Sequence, residues 1–167
     1  GQTIEGIARD REDRNLTADD TVLLQYGRLF HLFHIFSEGI DEHIRTQVQR
    51  GDEKCRVRFG RDLLQGLNKY GFENTQALRF LELFFQMRRA FFFISRIIGS
   101  SDCMMNLRKV LWNNIFTGDI RLYDEFLWNR MEDFSTLLLG ETGTGKGLAA
   151  SAIGRSGYIP YDPRTST

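Results

Sequence analysis

The sequence predicts a mostly helical protein, with a helical N-terminal module over residues 17–96 followed over 97–167 by the opening part of an α/β unit. Three observations carry this reading. Apolar residues recur at three- and four-residue steps from Val22 to Val48, the period of one helix face. A second periodic stretch is crowded with Phe80, Phe84, Phe85, Phe91, Phe92 and Phe93 and has only a narrow polar stripe. Over residues 134–150 an apolar run, a glycine-rich turn and a helix-forming segment follow one another.

The 167 residues suffice for one ordinary domain or two small ones. Hydrophobic content of 41% and charged content of 26% are globular, and the formal net charge is zero. A balanced charge gives no general attraction to nucleic acid or to an anionic membrane, so any DNA contact needs a local patch or a part absent here. Cys55 and Cys103 are far apart and neither belongs to a CxxC pair, which points to reduced thiols of a cytosolic protein rather than a disulfide framework. The most apolar run, residues 90–98, is short and interrupted by Arg96, so no membrane span is expected.

Residues 1–16, with Arg9, Asp10, Arg11, Glu12, Asp13 and Arg14, read as a disordered lead-in. Thr17 with Asp20 resembles a helix N-cap. Val22, Tyr26, Leu29, Phe33, Phe36, Ile40, Ile44 and Val48 then form one face of a long helix, which Gly39 could divide in two. His31 and His34 share i,i+3 spacing, but without a Cys or paired carboxylate nearby they read as polar-edge residues rather than metal ligands. Residues 56–70 form a second helix with Val57, Leu63, Leu64 and Leu67 inward. Arg58, Arg61 and Lys69 lie on its solvated face, and Gly71 serves as its C-cap residue.

Asn74 or Thr75 caps a third helix that runs to about Ile98, with Arg79, Glu82, Gln86, Arg89 and Arg96 as its polar stripe. So little polar surface requires burial on most sides, either as a central core helix or as a partner surface such as a dimer interface. Ser100 or Ser101 caps a fourth helix with Leu107, Val110, Leu111 and Ile115 inward. Ile120, Tyr123, Leu127, Met131 and Phe134 continue as a helical ladder, although no motif assigns a role to residues 112–128.

Gly140, Gly145 and Lys146 fill the fixed positions of GxxxxGK, the phosphate-binding P-loop. Residues 136–139 suit a buried parallel strand, and the small residues after Lys146 suit a helix packed closely on a sheet. Gly140, Gly143 and Gly145 permit positive φ, so that successive N–H groups can face an anion beside the helix N-terminus. Lys146 supplies a mobile positive charge for the β- and γ-phosphates. Residue 147 is Gly where most such loops place a Ser or Thr hydroxyl on Mg²⁺, so either the metal is held through water and other carboxylates or this copy is impaired.

The run Gly140, Glu141, Thr142, Gly143, Thr144, Gly145 and Lys146 resembles the GE(S/T)GTGKE loop of the AAA+ ATPase domain in sigma-54-dependent transcriptional activators, the bacterial enhancer-binding proteins. That family commonly has Glu after the lysine, so Gly147 is a departure. Ile97, Ile98, Gly99, Ser100 and Ser101 with Met105 and Leu107 resemble the opening of that domain. Ala152, Ile153, Gly154, Arg155 and Ser156 with Pro160 and Tyr161 resemble its continuation. The likeness covers about residues 97–163, and only the loop is highly specific.

The resemblance implies that 97–167 is the N-terminal part of a truncated α/β P-loop (AAA+) sigma-54 interaction domain; 17–96, which it does not cover, reads as a helical regulatory or dimerisation module. It implies cofactors ATP and Mg²⁺, with Lys146 catalytic and Gly140, Glu141, Thr142, Gly143, Thr144, Gly145, Lys146 and Gly147 around the phosphates. Ile98 and Gly99 would lie near the adenine. The implied partners are sigma-54 RNA polymerase through parts absent here, further copies of the chain, and DNA only through a missing C-terminal region, all in the cytoplasm. No acidic strand follows the loop, which implies a piece of a longer protein that hydrolyses ATP poorly by itself. The alternative is a helical dimerisation or regulatory module attached to a P-loop ATPase of another AAA+ branch.

Overall fold

Thr17 starts the first helix, α1 (Ala18–Arg50), by a reciprocal cap. Its hydroxyl accepts from the Asp20 N–H at 3.2 Å, and the Asp20 carboxylate accepts from the Thr17 N–H at 3.2 Å. The computed structural model describes residues 17–51, 53–116, 122–130 and 135–167, apart from the side chains at 18 and 124. The expected lead-in over 1–16 lies outside the described residues, as do Ile120, Met131 and Phe134 of the expected ladder.

Gly39 does not divide α1. A Cβ at this position would meet the Phe59 ring at 3.2 Å, so the glycine gives room for that ring inside an unbroken helix. Leu29, Leu32, Ile40 and Ile44 are buried, while Val48, at the end of the expected apolar face, is exposed.

The second helix, α2 (Gly60–Lys69), begins four residues later than the sequence predicts. It ends at Gly71, whose φ of 90° suits a residue without Cβ. The Gly71 N–H donates to the Asn68 carbonyl at 3.0 Å, and the Phe72 N–H reaches back to Leu67 at 3.2 Å. These two bonds make a Schellman closure that also buries Phe72.

The third helix, α3 (Asn74–Ile94), is capped by Glu73 with Gln76 rather than by Asn74 or Thr75. It stops at Ile94, four residues short of the expected end. Ser101 caps α4 (Asp102–Ile115), with its hydroxyl accepting from the Met104 N–H at 3.4 Å. A π-helical turn follows at Tyr123–Leu127, and the last described helix is α5 (Lys146–Gly154).

Helix α3 packs against α1, α2, α4 and α5, which makes it the centre of the fold. Phe80, Leu81, Leu83, Phe84, Ala90, Phe93 and Ile94 are buried along it. The phenylalanine-rich helix is therefore core, and Phe91, at 54% exposure, is its exception. Asp41 on α1 and Arg88 on α3 fix the angle between these two helices through two parallel hydrogen bonds, one of them Nε to Oδ1 at 2.7 Å.

The expectation of an α/β P-loop domain is not met. Among the described residues there is no strand, and every regular element is helical. Residues 135–140 carry no regular structure, with Leu137 81% and Leu139 84% exposed. The physical reason is that a parallel strand satisfies its backbone only beside another strand, and no second strand is described. Helix α5 finds a different support, burying Ala149 and Ala152 while packing against α3 and α4.

Candidate functional site

The glycine loop adopts the backbone its sequence calls for. Gly140, Gly143 and Gly145 have φ of 156°, 87° and 85°, and the last two are in the left-handed range where a side chain is strained. Thr144 tightens the turn by donating its hydroxyl to the Glu141 carbonyl at 2.8 Å. Gly145 stands at the N-cap of α5, where its carbonyl receives the N–H groups of Leu148 at 3.0 Å and Ala149 at 3.1 Å. The N–H groups of Lys146 and Gly147 begin the helix before any intrahelical acceptor is available.

Lys146 turns back over the loop. Its ammonium donates to the carbonyls of Gly140 at 2.8 Å and Glu141 at 2.5 Å, which closes the seven residues from 140 to 146 into a ring. Glu141, Thr142, Gly143, Thr144, Gly145 and Gly147 are exposed, so a solvent-borne anion can reach the loop.

Ile98 and Gly99 lie in the connection between α3 and α4. Ile98 is 90% exposed, and Gly99 has φ of 138° with the Met104 side chain against it. The Arg108 guanidinium donates to the carbonyls of Ile97 at 2.8 Å and Gly99 at 2.9 Å. Among the described residues these bonds tie the connection to α4, and none ties it to the loop at 140–147.

What anchors α5 and its loop is a buried polar network on α3. Glu82, buried in the middle of α3, accepts from the Tyr158 hydroxyl at 2.6 Å and from the Tyr161 N–H at 2.8 Å. Gln86, one turn on, donates to the Ser156 carbonyl at 3.1 Å and accepts from the Tyr123 hydroxyl. Arg89 donates to the Arg155 carbonyl at 3.3 Å and to Gln47 at 3.0 Å. Burial raises the Glu82 carboxyl above its ordinary value despite the hydrogen bonds it accepts, and raises the Tyr123 hydroxyl to about 12. The residues at three- and four-residue steps that read as a polar surface are thus the seat for the segment after α5.

No protein-family model, curated protein or solved structure matches this chain. The reading of the site rests on its own residues.

These residues fit the phosphates of a nucleotide, with two left-handed glycines in the turn, free N–H groups at a helix start and a lysine ammonium over the loop. They do not by themselves fit a protein-held metal. Gly147 brings no hydroxyl, and among the described residues no group of three His, Cys, Asp or Glu side chains is placed to hold an ion. His34 instead engages the Phe30 carbonyl through Nδ1 at 2.9 Å. Cys55 is buried, Cys103 is exposed, and both are free thiols.

Proposed function

We propose that the loop at 140–147 binds the phosphates of ATP, and that the chain is the ATP-binding part of a cytoplasmic regulator acting on sigma-54 RNA polymerase. The observation that carries the nucleotide reading is the ring closed by Lys146 over a turn with left-handed Gly143 and Gly145. The sigma-54 reading is supported by the likeness of Gly140, Glu141, Thr142, Gly143, Thr144, Gly145 and Lys146 to the loop of that family. Mg²⁺ bound with the nucleotide would supply charge neutralisation there.

Each residue of the loop has a separate part in this binding. The Lys146 ammonium leaves the carbonyls of Gly140 and Glu141 and takes up phosphate oxygens as a point charge. The N–H groups at the start of α5 donate to the same anion, and the helix dipole favours it. Ala149 and Ala152 keep the helix seated on α3 and α4. With no carboxylate cluster among the described residues of the site, the proposal is of binding with little turnover by this chain.

A titration with a fluorescent ATP analogue tests this reading. Wild-type protein binds saturably, and Lys146→Ala weakens binding by about tenfold or more, the loss of one charge-assisted contact. Equal affinity of the two proteins would overturn the proposal.

The second reading, a dimerisation module, is favoured by one observation. Leu23 and Phe30, seven residues apart on one stripe of α1, are 68% and 63% exposed. Light scattering on the eluting protein distinguishes a dimer, disrupted by Phe30→Glu, from a monomer at all concentrations.

A further inference from the structure

The strongest feature outside the loop is a cleft of about 580 Å³ between α1 and the segment that leads into α2. Its rim carries Arg50 from the last turn of α1, Arg56 and Arg58 from the segment before α2, and Arg61 from the first turn of α2. Four arginines and, among the described residues, one carboxylate, Glu42, line it. Among the described residues none of the four side chains is hydrogen-bonded or ion-paired. Other arginines of the chain are engaged, Arg88 on Asp41, Arg89 on Gln47 and Arg108 on two carbonyls.

The cleft has a fixed base as well as a charged rim. Phe59 forms one wall, held by stacking on Phe85 at 5.7 Å between centroids and by the close approach of its ring to Gly39. His43, buried and edge-on to Phe85, lines the cleft as well. Burial, with the nearby charge of Arg89, holds its imidazole below the ordinary value, so it faces the cleft as a neutral polar group. The C-terminal turn closes one side, where the Val57 N–H donates to the Ser166 carbonyl at 2.7 Å.

We infer that this cleft binds a small molecule carrying two or more phosphate charges, at a site separate from the glycine loop. Guanidinium groups suit phosphate because their planar fork donates two parallel hydrogen bonds. The volume lies within the range of small-molecule sites, about 300–1,000 Å³. A concave site of this size, lined by four arginines, favours a compact anion over the extended backbone of a nucleic acid. Phe59 offers an apolar face to the rest of the ligand.

Inorganic pyrophosphate is the probe, titrated calorimetrically into the full chain. The Lys146→Ala protein weakens the loop's contribution and is expected to bind one equivalent saturably at the cleft. Adding Arg56→Gln and Arg58→Gln to it weakens that binding by about tenfold or more. Arg50→Gln with Arg61→Gln, on other parts of the rim, gives the same loss and decides the case if the first pair disturbs the helical circular dichroism. Absence of saturable binding to the Lys146→Ala protein, or undiminished binding after both arginine pairs are replaced, overturns the inference. So does tight binding of a short DNA duplex that pyrophosphate fails to displace. Because the loop is weakened throughout and both arginine pairs lie outside it, failure of the nucleotide proposal leaves the result readable.

Discussion

The Tyr158 hydroxyl donates to the Glu82 carboxylate across 2.6 Å, joining the middle of the central helix to the segment that follows the glycine loop. The same carboxylate holds the Tyr161 N–H, so one side chain of α3 fixes two points of that segment. The arrangement gives polar partners to a buried carboxylate but, among the described residues, no cation, and its burial still favours the protonated form.

The sign of the pH dependence follows from that direction. With its pKa raised above the ordinary 4.5, Glu82 binds a proton in the folded protein over a range where the unfolded chain has already released it. Folding stability from this group is therefore fully present below the unfolded pKa and is lost as pH rises through the folded one. His43, whose imidazole is held below its ordinary value, acts in the opposite sense and is common to both proteins in the comparison. The stability of wild type relative to Glu82→Gln is expected to fall as pH rises above 4.5. Urea midpoints at several pH values measure it, and a difference that stays constant or grows in favour of wild type would contradict the assignment.

The parts of this fold that could be read from residues alone are those set by local chemistry. Thr17 with Asp20, Ser101, and Gly71 are helix boundaries whose partners lie within a few residues, so the pattern contains both halves of each interaction. The density of phenylalanine over 80–93 demanded burial, and α3 is the central helix. Glu82 and Gln86 looked like polar surface because their partners, at Tyr158, Tyr161 and Ser156, are about seventy residues away.

The same distinction explains the site. The positive φ of Gly140, Gly143 and Gly145 was legible, whereas the closing of Lys146 onto the carbonyls of Gly140 and Glu141 was not. The fate of the strand expected before the loop was not legible either, because a threonine and three leucines can suit a sheet without a neighbouring strand to pair with. The arginine-rimmed cleft was equally hidden: Arg58 and Arg61 read as a solvated helix face until α1 supplied Arg50 and the opposite wall. His43 went unnoticed because nothing near it in sequence marks it, and its surroundings come from α3.

Gly60 and Tyr161 make a tighter test of how the tail is seated. A methyl group at Gly60 would fall against the hydroxyl end of the Tyr161 ring, and that hydroxyl is buried without a hydrogen-bond partner. Tyr161→Phe is therefore expected to be neutral or to stabilise by about 1 kcal/mol, the desolvation of an unmatched hydroxyl being removed. Gly60→Ala should cost about 1–3 kcal/mol through overpacking, and less when combined with Tyr161→Phe. A double-mutant cycle from thermal or urea unfolding reads the coupling. Additive effects would show that the two residues do not press on each other.

Two glycines of the loop segment separate backbone conformation from helix propensity. Gly147 lies inside α5, with nothing near enough to obstruct a Cβ, and its φ is not positive. Gly147→Ala should stabilise the protein by about 0.5–1 kcal/mol, since alanine is the better helix former. Gly143 has equally open surroundings, but its φ of 87° belongs to the left-handed region. Gly143→Ala should therefore cost about 1–2 kcal/mol, or open the turn and release Lys146 from the carbonyls of Gly140 and Glu141. Unfolding midpoints give the first quantity. Amide exchange at residues 143–149 gives the second, because an opened turn exposes the Leu148 and Ala149 N–H groups now bonded to Gly145. If both alanines shift stability in the same direction, the turn does not depend on the left-handed backbone, and the ring closed by Lys146 is not what shapes the loop.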